Sequence, residues 1–128
     1  MTAHDFDIGI IGGGAAGLTV ASGAARLGAK TLLIEKNGMP GGQIMLTEHI
    51  ENYPGFQNIS GPDLMTRMAA QAETYGSKLD IGAEVRSFHQ TAQFFSIDST
   101  SGEVRARSIV LAVGSTYRLL GIPGNRLP

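Results

Sequence analysis

The chain has no cysteine and no tryptophan. The first absence excludes a disulfide scaffold, a cysteine-ligated metal site and a thiol redox centre within these residues. No charge of one sign dominates: ten Lys and Arg stand against eleven Asp and Glu, a formal net charge of -1. That balance excludes a strongly basic binder of nucleic acid or membrane surfaces. Long apolar runs are missing too. Each is short and broken by Gly, far from the ~20 residues that cross a bilayer. The opening residues, MTAHDFD, lack the basic and apolar regions of a signal peptide. The expectation is a soluble cytoplasmic protein with no membrane and no nucleic-acid partner. His4, His49 and His89 are scattered without ligand spacing, so no metal site is expected.

Glycine, by contrast, is abundant: 18 of 128 residues, roughly twice the average usage. Hydrophobic residues make up 42%, enough to bury the core of one domain. Phe6 to Ile11 is a short apolar run with β-branched residues. Gly12-Gly13-Gly14 follows, then Ala15 to Leu27 with apolar residues at helical spacing and Gly28 as a stop. Thr31 to Ile34 is a second apolar run, ended by Glu35. Two such strands joined by a helix predict a parallel βαβ unit with a right-handed crossover.

Lys36 to Ser60 has no sustained period and reads as a long loop, a type that is usually functional or disordered. Pro62 to Tyr75 reads as a helix with an apolar stripe of Leu64, Met65, Met68 and Ala72. Lys78–Ile81 and Ser108–Val113 complete the predicted parallel sheet. Glu84–His89, Phe94–Asp98 and Glu103–Arg107, joined by short turns, predict a three-stranded antiparallel layer. The fold class expected is therefore α/β. Met39, Met45, Met65 and Met68 are expected to fill packing gaps, and Arg105 and Arg107 to lie on a solvated strand face.

Gly12-x-Gly14-x-x-Gly17 falls between a strand and a helix, and Glu35 ends the next strand. Each residue has a physical task in dinucleotide binding. Gly12 permits the tight turn, Gly14 holds off no pyrophosphate, and Gly17 lets the helix pack closely. The helix N-terminus favours phosphate charge. Glu35 can accept hydrogen bonds from ribose hydroxyls and would repel a 2′-phosphate, which favours FAD or NAD over NADP.

Further segments carry a family resemblance: IIGGGAAGLTVA at Ile10 to Ala21, LLIEK at Leu32 to Lys36, GGQI at Gly41 to Ile44, HIENYPGF at His49 to Phe56, and LAVGSTYRLLGIPG at Leu111 to Gly124. The chain resembles the N-terminal part of bacterial-type thioredoxin reductases, flavoproteins with two dinucleotide-binding domains. The resemblance implies a three-layer FAD/NAD(P)-binding fold, incomplete relative to the family, with FAD as cofactor. It places the pyrophosphate against Gly12, Gly13, Gly14, Ala15 and Ala16, and the adenosine ribose against Glu35 and Lys36. It places flavin contacts on Gly42, Gln43, Thr47 and Asn52, and adenine contacts on the backbone at Ala83 and Val85. The family's Ala-Thr-Gly stretch stands here as Ala112-Val113-Gly114, losing a hydroxyl; Ala112 and Gly114 are expected to keep backbone contact with FAD. Read without the resemblance, Asn52 also fits a turn cap and Gln43 a solvated loop residue.

The resemblance also implies what these residues do not contain. The family's Cys-x-x-Cys belongs to an NADPH domain beyond Pro128, and the segment after the glycine pair, Gln43-Ile-Met-Leu46, has no cysteine. The expected organisation is residues 1–116 as the N-terminal portion of an FAD-binding domain and 117–128 as a linker. The function expected is the FAD-binding portion of an oxidoreductase that passes hydride from NADPH through flavin to a disulfide or other acceptor. The alternatives are a non-catalytic nucleotide-binding module, or a subunit of a split electron-transfer flavoprotein of the ferredoxin-NADP reductase kind. Either self-association or a partner chain is expected to cover the sheet edge at Ile109 to Val113, which carries no charge or proline to protect it.

Overall fold

The computed structural model describes residues 4–123. The last five residues of the expected linker lie outside the described residues. In chain order the elements are β1 (Phe6–Ile11), α1 (Ala15–Arg26), β2 (Thr31–Glu35), a 3-10 turn (Gly42–Leu46), α2 (Gly61–Thr74), β3 (Lys78–Ile81), β4 (Val85–Gln90), β5 (Phe95–Ser99) and β6 (Gly102–Leu111). The six strands hydrogen-bond in the order β3-β2-β1-β6-β5-β4. The first four in that order run parallel, and β6, β5 and β4 form an antiparallel meander.

β4 and β5 each begin and end one residue later than expected and β2 takes in Glu35, while two differences from the sequence reading are larger. Glu103–Arg107 and Ser108–Val113 are not separate strands, because β6 runs unbroken through both and stops at Leu111. Its first half pairs with β5 and its second half with β1, and Ala106 is the one residue paired to both. The stretch Lys36 to Ser60 is not wholly irregular, since the Gly42–Leu46 turn lies within it. The helices fall within a residue of expectation. Ser60 caps α2 by accepting from the Asp63 amide at 3.2 Å, with a proline in the first turn.

One face of the sheet carries the helices. Leu18 and Ala21 of α1 and Leu64, Met65, Ala69 and Ala72 of α2 close on Ile10 and Leu33 in one core. The other face holds Leu32, Ile34, Ala83, Ile97 and Ala106. Every residue of β2 is buried, as a strand covered on both faces requires. Ile97 belongs to β5 yet packs with Leu32 and Ile34, so the meander bends back over the far face and makes a third layer. Gly9 leaves room for this bend: a Cβ there would stand 2.6 Å from Ile97 Cδ1. Met65 is fully buried and Met45 and Met68 are packed against the core, but Met39 is 58% exposed and fills no gap.

The start of β1 is held electrostatically. Asp7 accepts from the Lys30 amide at 2.8 Å and meets His4 at 3.2 Å. Asp5 accepts from the Arg105 amide at 2.9 Å and lies 3.6 Å from its guanidinium. Arg105 also stands over the Phe94 ring, so it is a pairing residue rather than a purely solvated one. Both carboxyls are held below their ordinary value of 3.8, chiefly by the backbone bonds from Arg105 to Asp5 and from Lys30 to Asp7. A depressed carboxyl adds stability that is present above the unfolded value and lost as pH falls through the folded one. Stability is therefore expected to drop below about pH 4. Urea unfolding at stepped pH should show a shallower acid dependence for the Asp5→Asn, Asp7→Asn double variant.

Candidate functional site

A cleft of about 960 Å³ opens at the carboxyl ends of β1, β2 and β6. The chain leaves β1 toward β2 on one side, while β6 flanks β1 on the other. Open α/β sheets bind ligands at such a reversal of strand order.

The floor of the cleft is the turn after β1. The Gly12 amide donates to the Ile34 carbonyl at 2.9 Å, and the Ala112 amide donates to Ile11 at 2.8 Å. These bonds draw β2, β1 and the exit of β6 together. Gly12 has φ +110°, and a Cβ on it would fall on the Ala112 carbonyl. A Cβ on Gly17 would fall on the Gly12 carbonyl, and one on Gly13 would stand 2.9 Å from Glu35. Gly14 is different. Its backbone is ordinary (φ -76°, ψ -171°), and a Cβ there would meet only the Gly41 carbonyl, at 3.9 Å. Packing therefore demands glycine at three of these positions and not at the fourth. Gly14 is also the N-cap of α1, with no side-chain cap and no acidic residue in the first turn. The end of the helix meets the cleft as bare backbone at Gly14, Ala15 and Ala16.

Glu35 ends β2 at 5% exposure. Its Oε2 accepts from the Gly13 amide at 2.7 Å and its Oε1 from the Asn37 amide at 2.8 Å. No Lys or Arg pairs with it among the described residues. A carboxylate has about four acceptor positions. Two backbone bonds leave about two for hydroxyl donors in the cleft that Glu35 lines.

The second wall is the Gly42–Leu46 turn. The Gly41 amide donates to the Gly13 carbonyl at 2.7 Å, tying this wall to the floor. Gln43 donates from Nε2 to the Ser115 carbonyl at 2.6 Å, across to the third wall, Ala112 to Thr116. Ala83 and Val85 close the remaining side, where the Ala83 amide donates to the Glu35 carbonyl at 3.0 Å.

Of the candidate residues, Gly12, Gly13, Gly14, Ala15, Ala16, Glu35, Lys36, Gly42, Gln43, Ala83, Val85, Ala112 and Gly114 line this one cleft. Thr47 and Asn52 do not. Thr47 accepts the Gly61 amide on its carbonyl, and Asn52 sits exposed in a loop closed by the paired amides of Ile50 and Ile59. His49 contacts Asn58 at 3.2 Å and remains exposed. Asn37, Gly41 and Ser115 are in the site without having been singled out for it. All three act through backbone groups, which leave no side-chain signature; the glycine doublet was the one signal available. Among the described residues no cluster of His, Asp or Glu is placed to hold a metal, and no helix is long and apolar enough to cross a membrane.

A family model described as pyridine nucleotide-disulphide oxidoreductase matches residues 6–127. The chain belongs to this family. Within the pyridine nucleotide-disulphide oxidoreductases it is similar to the thioredoxin reductase of Bacillus subtilis, 37% identical over 94% of this chain and 38% of that protein. The crystal structure of Lactococcus lactis thioredoxin reductase superposes with a TM-score of 0.86 at 40% identity, covering 94% of this chain and 39% of that one. The T. acidophilum thioredoxin reductase gives 0.87 at 35% identity, covering 95% and 40%. The chain thus spans about two fifths of the length of the relatives it matches. The match makes it thioredoxin-reductase-like in sequence and fold.

The four glycines of the turn are expected to separate in thermal or urea unfolding. Gly12→Ala and Gly17→Ala should each lose about 1–3 kcal/mol, since backbone must move to admit the methyl. Gly14→Ser, a good N-cap in open space, should stay within about 0.5 kcal/mol of the parent.

Proposed function

We propose that the chain binds FAD and forms the FAD-binding portion of a cytoplasmic thioredoxin-reductase-like flavoprotein oxidoreductase. The observation that carries the reading is Gly14: a glycine that packing does not require, at the mouth of an uncapped helix end, beside a cleft of about 960 Å³. An approaching pyrophosphate accounts for it, because a side chain at that point would hold the phosphates away. Glu35 supplies the acceptors that a ribose diol needs, and its position is already fixed by Gly13 and Asn37. FAD rather than NAD is supported by the resemblance carried by the glycine pair at Gly41-Gly42 and the Asn52-Tyr-Pro-Gly55 loop, and by the overall likeness to thioredoxin reductases.

In this reading the amides of the first turn of α1 hold the diphosphate and Glu35 orients the adenosine ribose. Lys36, Ala83 and Val85 flank the adenine end. Gly42, Gln43, Ala112 and Gly114 serve the flavin end, and Thr47 and Asn52, which lie outside the cleft, are assigned to that end by the resemblance alone. Bound FAD would supply hydride acceptance and release, the protein providing placement and electrostatics. With no cysteine in the sequence, reduction of a disulfide draws its thiols from outside these residues. NADPH as hydride donor and a disulfide or other acceptor belong to the complete system. Residues 1–116 are the FAD-binding portion in this scheme and 117–128 a linker.

Gly14→Val is expected to remain folded by circular dichroism while abolishing the fluorescence titration with FAD. ADP-ribose should displace FAD from the parent better than its 2′-phosphorylated analogue, since Glu35 would repel the extra dianion. Undiminished binding by Gly14→Val would remove the ligand from this turn.

A second part of the proposal concerns association. From Ile109 to Leu111, β6 pairs on one side only. Beyond it Leu111, Val113, Tyr117, Leu119, Leu120 and Ile122 are each more than half exposed. Unpaired strand edges and contiguous apolar surface favour pairing with another chain. Light scattering should therefore give a weight-average mass that rises with concentration. A constant monomer mass at high concentration would show the edge tolerated in water.

A further inference from the structure

We infer that Gln43 is a positioning residue, a strap that holds the third wall of the cleft in place and so sets how fast a bound ligand leaves. The inference rests on the proposed FAD site for its second half only. The segment from Val113 to Pro123 contains no helix or strand. After the Ala112 amide donates to Ile11, the hydrogen bonds that return this segment to the body, among the described residues, all come from Gln43. Its Nε2 reaches the Ser115 carbonyl at 2.6 Å and the Ser115 hydroxyl at 3.5 Å. Packing offers the segment little else, since every residue from Val113 to Pro123 is exposed.

The other end of the strap is firm. Gln43 sits in the Gly42–Leu46 turn, which is fixed by the Gly41 amide on Gly13 and by the Gly61 amide on Thr47. Ile44 and Met45 of the same turn pack against the helical core. One amide side chain thus joins an anchored wall to an unanchored one across the mouth of the cleft. Ser115 and Thr116 line that cleft, so their position decides its width. Because the short bond ends on a backbone carbonyl, it depends on what stands at position 43, and the side chain at 115 adds only the long contact at 3.5 Å.

The test uses Gln43→Leu, which keeps the bulk and removes the donor, and Gln43→Glu, which replaces the donor with an acceptor. Gln71→Leu, on an exposed position of α2, is the control. In the ligand-free chain, trypsin cleavage after Arg118 is expected to accelerate about three- to tenfold in both Gln43 variants, the factor set by one hydrogen bond of ordinary net strength. In the FAD-loaded chain, FAD release followed by recovery of flavin fluorescence should accelerate by a similar factor. Unchanged cleavage at Arg118 would overturn the strap, even with faster FAD release, because that pattern marks a direct flavin contact alone. Faster cleavage with unchanged FAD release would overturn its control of the ligand. Failure of the parent chain to bind FAD would defeat the proposed function and the release half of this inference, while the cleavage result would still decide the strap.

Discussion

At the carboxyl end of β1, three backbone segments converge so closely that no side chain fits among them. The Gly12 position abuts the Ala112 carbonyl, Gly17 abuts Gly12, and Gly13 abuts the Glu35 side chain. Four hydrogen bonds donated by the backbone amides of Gly12, Gly13, Gly41 and Ala112 then lock β2, the glycine turn, the second wall and the exit of β6 together. The cleft exists because this knot is tight. A looser turn would let α1 ride further from the sheet and would carry its first-turn amides away from the strand ends that floor the cleft. The knot also determines the fate of Glu35. A carboxylate that is 5% exposed, with no cationic partner among the described residues, costs several kcal/mol to desolvate. The two backbone donors, each about 1.5–3 kcal/mol to a charged acceptor, offset much of that cost. They also leave the group oriented before any ligand arrives, so that binding need not order it.

The first half of the fold was legible because each of its signals has one physical meaning. A β-branched run, a glycine turn, an alanine-rich helix with a glycine stop and a second apolar run admit few arrangements other than βαβ. The full burial of β2 follows from its lack of any alternation. The continuity of β6 was not legible, for a reason found at Ala106. Up to that residue the strand pairs with β5; beyond it the strand pairs with β1, carries exposed Arg107 and turns apolar from Ile109. The change of pattern at Ser108 marks a change of neighbour, yet in sequence it looks like a break between strands. Gly9 is a second case. A glycine inside a strand signals a close approach, but only the folded chain shows that the visitor is Ile97, from a strand whose sequence position is remote.

The site divides along the same line. Residues that work through side chains or through a demand for glycine, such as Glu35 and the turn itself, could be named in advance. Asn37 and Ser115 contribute a backbone amide and a backbone carbonyl, and any residue type supplies those. Glycine in the motif also proved to have two separate causes. At Gly12, Gly13 and Gly17 the chain excludes its own side chains, whereas at Gly14 nothing among the described residues does. Sequence alone merges these causes into one pattern, and only the volume around each missing Cβ separates them.

The walls of the cleft differ in how they are held, and the difference follows the order in which they attach to the core. The floor is continuous with the central strands. The Gly42–Leu46 turn is held from behind by Gly61 and by the burial of Ile44 and Met45. The Ala112–Thr116 wall has left the sheet by Leu111 and has no packed side chain beneath it beyond half-buried Ala112. Low local stability is expected where exposed backbone carries few packed contacts. The conformational cost of enclosing a ligand would therefore fall almost entirely on this last wall. A cleft so arranged would combine a preformed grip on one end of a long ligand with an adjustable enclosure at the other. In the proposed FAD reading, the rigid end is the one where phosphate and ribose chemistry needs fixed donors and acceptors.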